Sequence, residues 1–396
     1  MRILAVGNRQ DLNRELAHID VDKAAWQIFA EKGKSLAIRL DGLSTATANI
    51  LKQTALASGG DCAVNRRVVS GRVRKSDAIL FVTQRQLKEV CRRLQRQPEC
   101  VARLVPELEQ IVERHLKPSL TVRVWGKLMD LGKRTHVMGI LNVTPDSFYD
   151  GGRYLEPDRA VEQGVALASD GADFIDIGAE STRPGSSPVG PKEQLARLLP
   201  VLKRLVPRVK VPISIDTSSA EVARVALAEG AAMVNDVTGF RGDPKMAKLV
   251  ARTGVPCIVM HMKGSPKTMQ RNPRYQNLMA EIYSFLAATL NRGERAGISR
   301  GQMIVDPGIG FGKLLQHNLE ILRRLRELKG LGVPVLVGPS RKSFIGQVLD
   351  LPAEERLEGT LAACVVAARN GANILRVHDV KATLRALRLA DAIGGE

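Results

Sequence analysis

At 396 residues the chain is too long for one average domain, so two are expected. Hydrophobic residues make up 44% but aromatics only 4%, which calls for an aliphatic core such as a Val/Ile/Leu-filled parallel sheet. The five cysteines are an odd number without C-x-x-C spacing, which argues against a disulfide framework or zinc site and for a reduced, cytoplasmic protein. No charged-then-apolar leader and no run of about eighteen apolar residues is found, so neither export nor a membrane association is expected. The net charge of +18 falls more than half within residues 1–135. It is compatible with nucleic acid, anionic substrates or solubility alone.

Taken in order, residues 2–7 read as a short strand, and 35–41 and 77–83 as two more. Ser44 can cap a helix that runs to Leu56 and stops at Gly59-Gly60. Further helices are expected over 84–95 and 101–115. Residues 1–118 thus form a small N-terminal α/β domain without a catalytic constellation, and a structural or docking role is expected for it. Its basic clusters, Arg66-Arg67, the run 72–75 and Arg92-Arg93, carry no interleaved aromatics for base stacking. They read as solvated surface, and no nucleic acid is expected as a partner. Residues 119–135 alternate around turn signals and are expected to form a hairpin linker that covers the N-terminal mouth of the second domain.

From residue 136 the pattern becomes a strict strand–helix rhythm. Strands are expected at 136–142, 173–179, 212–216, 232–236, 256–261, 303–306, 334–338 and 373–377. Helical patterns follow them, including 157–170, 191–206, 218–229, 276–292, 314–329 and 380–391. Eight βα units within 136–396 have the count and size of a (β/α)8 TIM barrel, preceded by the smaller α/β domain. A doubly wound open sheet is the alternative. It rarely reaches eight parallel strands in this length, and its glycine-rich phosphate fingerprint is absent from the sequence.

In a TIM barrel the chemistry sits where strands run into their βα loops. All eight strand ends here deliver polar groups: Asn142, then Glu180 to Pro184, Asp216, Asn235-Asp236, His261 to Lys263, Asp306 to Lys313, Ser340 to Lys342, and Arg376 to Asp379. Any one could be a helix cap, but eight together are not explained that way. Asp216, Asn235, Asp306 and Lys342 are convergent donors and acceptors suited to a flat, nitrogen-rich heterocycle. Arg183, Arg341, Arg376 and His378, with Thr182 and Ser340, form a cationic and hydroxyl set for phosphate or carboxylate. Asn142 offers an oxygen for Mg²⁺ bridged to a pyrophosphate. No nucleophile–base pair is evident, and His261 reads as structural.

The strings MGILNVTPDSFYDGG (138–152), DIGAESTRPG (176–185), ISIDT (213–217), NDVTGF (235–240), VMHMKG (259–264), VDPGIGFGK (305–313), GPSRKSFIG (338–346) and RVHDV (376–380) carry a resemblance. In that order they resemble dihydropteroate synthase, over roughly residues 125–396. The resemblance implies a folate-synthesis transferase that joins 6-hydroxymethyl-7,8-dihydropterin diphosphate to p-aminobenzoate and releases pyrophosphate. It further implies that Asp216, Asn235, Asp306 and Lys342 hold the pterin, with Met262 and Arg376 against its faces. Asn142 would take Mg²⁺, while Thr182, Arg376 and His378 would bind the diphosphate. Thr182, Pro184, Phe311 and Ser340 would frame p-aminobenzoate, and loops 143–152 and 181–185 would close over the reacting carbon. Asp216, Asp306, Lys342 and Arg376 are the expected catalytic set, Arg183 is expected among the substrate-binding residues, and a homodimer is the expected assembly. One departure is Ala179, where glycine is usual. The rival within the same barrel class is a pterin-binding methyltransferase acting on a corrinoid; it should lack the Thr-Pro-Asp-Ser and Ser-Thr-Arg-Pro loops together. The rival from another class is a nucleic-acid-binding protein built on the basic N-terminal domain.

Overall fold

Side chains of a β-strand alternate between its two faces, so a strand buried on both sides must be apolar throughout until it meets solvent. The computed structural model, which describes residues 4, 9–33, 35–144, 156–180, 189–264, 268–270 and 272–394, shows where that rule operates. The chain divides into two compact units, Met1–Val112 and Glu113–Glu396.

The first unit begins with α1 (Arg9–His18) and α2 (Trp26–Gly33), two helices not anticipated from the sequence. Of the strand expected at 2–7 only Leu4 is among the described residues, and it is exposed and belongs to no strand. A three-stranded antiparallel sheet follows in the order β1-β3-β2, from β1 (Ser35–Ser44), β2 (Asp61–Val64) and β3 (Lys75–Thr83). Between β1 and β2 runs α3 (Thr45–Ala57), capped by the Ser44 hydroxyl as expected. After β3 comes α4 (Gln84–Leu94), which opens on a capping box between Thr83 and Gln86. Leu51, Ala55, Leu80, Val90 and Leu94 are buried. The single helix expected over 101–115 is two: α5 (Glu99–Ala102) and α6 (Leu104–Leu116). Pro106 is the reason, because it has no N–H for the Ala102 carbonyl and its ring crowds that carbonyl.

In the second unit the expected hairpin is β4 (Thr121–Val124) paired with β5 (Lys127–Asp130). Eight parallel strands follow: β6 (His136–Asn142), β7 (Phe174–Gly178), β8 (Ile213–Asp216), β9 (Met233–Asp236), β10 (Cys257–Met260), β11 (Met303–Asp306), β12 (Leu336–Val337) and β13 (Ile374–Val377). They pair in chain order, with β13 against β6, and a bridge between Val305 and Val335 closes the ring between β11 and β12. This is the expected barrel. Strand β12 is shorter than the expected 334–338 because Pro334 and Pro339 bracket it and cannot donate to a ladder. Around the ring lie α7 (Glu156–Ser169), α8 (Pro191–Leu205), α9 (Ala220–Ala228), α10 (Met246–Thr253), α11 (Leu278–Arg295), α12 (Leu315–Arg324), α13 (Ser343–Leu349), α14 (Leu357–Arg369) and α15 (Val380–Gly394).

The alternation divides the barrel strands between two cores. Val137, Ile175, Ile177, Ile215, Val234, Val259, Val305, Val337 and Leu375 belong to an outer core shared with helix residues such as Leu198, Leu202 and Leu286. Met138, Phe174, Met233, Ile258, Ile304, Leu336 and Ile374 form an inner plug with Val122, Val124 and Leu131 of the hairpin region. The hairpin therefore seals the N-terminal mouth. Two residues further along several strands, the same inward register carries Asp176, Asn235, Asp306 and Arg376 instead of apolar side chains. The fold thus places its polar layer above a dry floor.

Candidate active site

Arg376, inward on β13, is held by carboxylates from β7 and β8. Its Nε donates to Asp176 Oδ2 at 2.6 Å, and its Nη2 donates to Asp216 Oδ2 at 3.0 Å. Asp176 is fully buried, and its Oδ2 also accepts from Asn235 Nδ2 at 3.0 Å. Burial drives the Asp216 carboxyl up to about 7 despite the pull of Arg376, and the charges of Asp176, Glu180 and Asp236 push it the same way. Burial works against the Arg376 charge, but Asp176 and Asp216 outweigh it and raise its pKa.

A second group comes from β11 and the loop after β12. Asp306 accepts the Gly308 N–H at 2.6 Å, and burial lifts its carboxyl even though Lys342 opposes the shift. Burial lowers Lys342 to about 8, against the attraction of Asp306. Its ammonium donates to the Ile309 carbonyl and lies 4.8 Å from the centre of the Phe311 ring. Gly308 must be glycine: its φ is +71°, and a Cβ would come within 2.0 Å of the His261 carbonyl oxygen. Gly310 (φ +83°) similarly leaves room for the Lys342 stem, whose Cδ would be 3.2 Å from a Cβ.

Met262 is buried with Val237, Met260 and Met269, and Phe311 packs against this cluster. Arg241 fixes the Met262 carbonyl at 3.0 Å. Ser340 Oγ lies 2.9 Å from His378 Nδ1 and also accepts the His378 backbone N–H at 3.2 Å. Asn142 ends β6 beside β7: a Cβ placed on Gly178 would lie 3.9 Å from Asn142 Oδ1 and 3.7 Å from Asp216 Oδ2. The amide and the carboxylate thus flank one bare glycine. Among the described residues no group of three or more His, Cys, Asp and Glu side chains forms a metal cage. A single amide oxygen fits Mg²⁺, which keeps most of its shell as water and phosphate oxygens.

These ends of a closed parallel barrel match known proteins. A family model described as pterin binding enzyme matches residues 138–378. The dihydropteroate synthase of Synechocystis sp. is 48% identical over 267 residues, covering 67% of this chain and 92% of that protein. The chain belongs to the dihydropteroate synthase family of pterin-binding enzymes. The solved structure of Xanthomonas albilineans dihydropteroate synthase with 4-aminobenzoic acid has TM-score 0.66 and 44% identity, covering 70% of this chain and 99% of that one. The probable bifunctional folylpolyglutamate synthase/dihydropteroate synthase of Halobacterium salinarum is 40% identical over 351 residues, 88% of this chain and 42% of that protein. That span is longer than the barrel unit and so reaches into the N-terminal one.

Within this family frame, the barrel gathers Asn142, Asp216, Asn235, Met262, Asp306, Phe311, Ser340, Lys342, Arg376 and His378 at the C-terminal ends of its strands. Thr182, Arg183 and Pro184 lie outside the described residues, as do most of the two expected closing loops. Arg341 is otherwise employed: its Nε and Nη2 bind both oxygens of Asp379 at 2.9 and 2.6 Å, bracing the loops after β12 and β13. Ala179 is buried, and its carbonyl accepts from Arg197 Nη1 at 2.9 Å.

Sequence reasoning misses two features of the site. Asp176 is one; it sits in the interior of β7 rather than at its end. The other is the pairing of Lys313 with His261: the buried Lys313 ammonium has three acceptors, His261 Nδ1 at 3.0 Å, the Phe311 carbonyl at 3.0 Å and the His261 carbonyl at 3.3 Å. Burial lowers Lys313 well below its ordinary value and, with Lys313 beside it, holds His261 down at about 2. His261 is therefore neutral and ties the strand end of β10 to the loop carrying Phe311, the structural role expected of it.

Proposed function

We infer that the barrel condenses 6-hydroxymethyl-7,8-dihydropterin diphosphate with p-aminobenzoate, giving 7,8-dihydropteroate and pyrophosphate. The observation that carries this is the Asp176–Arg376–Asp216 array with Asn235, set over an apolar plug at the C-terminal mouth of the barrel. Asp216, Asn235, Asp306 and Lys342 supply the acceptors and donors for the edge of a pterin. Met262 and the Arg376 plane take its faces. Arg376 and His378, with Thr182, bind the diphosphate, while Phe311, Ser340, Thr182 and Pro184 frame p-aminobenzoate, and Arg183 serves as a further substrate-binding cation. Mg²⁺, held by Asn142, would neutralise diphosphate charge when bound.

The chemical step is a displacement at the pterin methylene carbon. The C–O bond breaks, and its electron pair leaves with diphosphate, which the cations stabilise. The positive charge left on the pterin faces the carboxylates of Asp216 and Asp306. The lone pair of the aromatic amine then forms the C–N bond, and the spare amine proton passes to solvent. No described side chain is placed as a general base for the amine, so carbon–oxygen cleavage leads and nucleophilic attack follows.

A homodimer is part of this reading. Val366 on α14, with Leu389 and Ile393 on α15, exposes apolar surface at 45, 64 and 75%, which suits burial against a second copy. A cytoplasmic location accords with five free thiols, which persist in reducing compartments. The test of function is release of pyrophosphate that requires both pterin diphosphate and p-aminobenzoate. Release that is independent of p-aminobenzoate, with no dihydropteroate formed, would remove the assignment. Light scattering at micromolar concentration tests the dimer, and a monomer mass would reject it.

A further inference from the structure

We propose that Asp176 is a positioning residue of the pterin pocket, fixing the plane of Arg376 and the orientation of the Asn235 amide. The proposal rests on the pterin reading above and assigns this residue a duty within it. Asp176 lies midway along β7, and its neighbours at i±2 are Phe174, in the inner plug, and Gly178, beside Asn142 and Asp216. The alternation of a strand therefore turns it into the barrel, one layer below the pocket rim. There it is wholly buried.

Its Oδ2 does two things at once. Accepting from Arg376 Nε at 2.6 Å, it stops rotation about the last bond of that side chain. Asp216 on the adjacent strand holds Nη2 at 3.0 Å, so the guanidinium is fixed at two of its three nitrogens. Nη1 has no partner among the described residues and remains for a ligand. An arginine held flat in this way can stack on a heterocycle without losing side-chain freedom when the ligand arrives.

The second effect is on Asn235. Only the NH₂ end of a carboxamide can approach a carboxylate, so the 3.0 Å contact from Nδ2 to Asp176 sets which way the amide lies. Asn235 then offers Oδ1 to the pocket as an acceptor. That selects a ligand edge carrying an N–H or NH₂ at this position and rejects one carrying only acceptors. Asp176 Oδ1 and the hydroxyl of Ser214, which is its register neighbour on β8, are buried and have no partner among the described residues. The carboxylate thus directs its bonding to the two pocket residues rather than to its own strand layer.

The test compares Asp176→Asn with the parent, full-length enzyme. Pterin-6-carboxylic acid, a pterin without diphosphate, serves as the calorimetric probe, alongside steady-state constants per folded site. Asp176→Asn should bind the probe at least tenfold more weakly and raise the pterin diphosphate KM, while the p-aminobenzoate KM moves less than twofold. If probe affinity and both KM values stay within twofold while only the melting temperature falls, Asp176 is merely structural and the proposal is overturned. Should Asp176→Asn not be recovered folded, Asp176→Ser removes the charge without adding volume and is read by the same criteria. A parent enzyme that binds no pterin probe overturns the pterin reading itself, whereas a binding parent with an unaltered variant overturns only the role of Asp176.

Discussion

The two mouths of the barrel are built from the same strands in opposite ways. At the N-terminal mouth, Met138, Phe174, Met233, Ile258, Ile304, Leu336 and Ile374 close on Val122, Val124 and Leu131. At the C-terminal mouth, the barrel strands present the Asn235 amide together with Asp176, Asp216, Asp306 and Arg376, whose charges offset one another only in part and shift one another's protonation. One end draws stability from dispersion and dehydration; the other holds charges in a place that disfavours them. The comparison teaches that position along a strand, more than residue type around it, decides whether a substitution costs folding or function.

The largest effect should come from the plugged end. Phe174 is fully buried, and Phe174→Ala removes a ring from a site closed on every side. The expected loss is about 3–5 kcal/mol of stability, from lost transfer energy plus a residual cavity. The protein that remains folded should keep its Michaelis constants, as active-site titration combined with denaturant melts would reveal. A variant with normal stability and altered pterin KM would mean that the plug reaches the substrate.

Lys342→Ala is the counterpart at the open end. It deletes a half-buried ammonium that bonds the Ile309 carbonyl and faces Asp306. We expect kcat/KM to fall by about 2–4 kcal/mol of transition-state binding, with little change in melting temperature. Burying this ammonium has already cost the fold something, so its removal relieves as much as it breaks. A large drop in melting temperature with normal turnover would mark the lysine as structural.

How much of this contrast is legible in the sequence depends on how local each signal is. Strand ends such as Asp216 and Asp306 stand out because an apolar run stops at a charge. The hairpin is visible in its own alternation, and Ser44 in its place before a helix. Asp176 falls inside a recognisable motif yet is not marked as a site residue, since its partner Arg376 lies 200 residues away and a strand interior gives no local hint of the pair. Lys313 is hidden for the same reason, meeting His261 across 52 residues. The helix break near Arg103 is a different kind of miss: Pro106 is a local stop signal that the apolar periodicity around it outweighs. Strand β2, four residues long and beginning with Asp61, is too short for a periodic signal.

A smaller, pH-dependent effect sharpens the comparison. Asp216 sits at about 7 and Lys342 at about 8, so the pocket holds both charges best between these values. Affinity for a pterin should weaken below pH 7 as Asp216 gains a proton, and again above pH 8 as Lys342 loses one. Stability follows with its own signs. The raised Asp216 value gives stability that is full below the ordinary carboxylate range and is lost as pH rises through about 7. The lowered Lys342 value gives stability that is full above the ordinary lysine range and is lost as pH falls through about 8. Both act against the free enzyme near neutrality, so Asp216→Asn should melt no lower than the parent at pH 8. A clear fall there would show that the Arg376–Asp216 contact stabilises more than burial of the charge costs.

The smallest expected effect is the one that bears most on mechanism. The open end gathers cations for a leaving diphosphate and carboxylates for a developing pterin cation, but no described side chain there is placed to take a proton from the amine. If carbon–oxygen cleavage limits the chemical step, the nucleophile joins after the barrier, and its basicity has little influence on the rate. Single-turnover rates measured with ring-substituted p-aminobenzoates should then change less than about twofold across electron-withdrawing groups, because the amine lone pair is not engaged in the rate-limiting transition state. A steep fall as the amine becomes less nucleophilic would place bond formation at the barrier. The carboxylates would then be holding the ring in place rather than a cation, and the electrostatic contrast between the two mouths would serve binding alone.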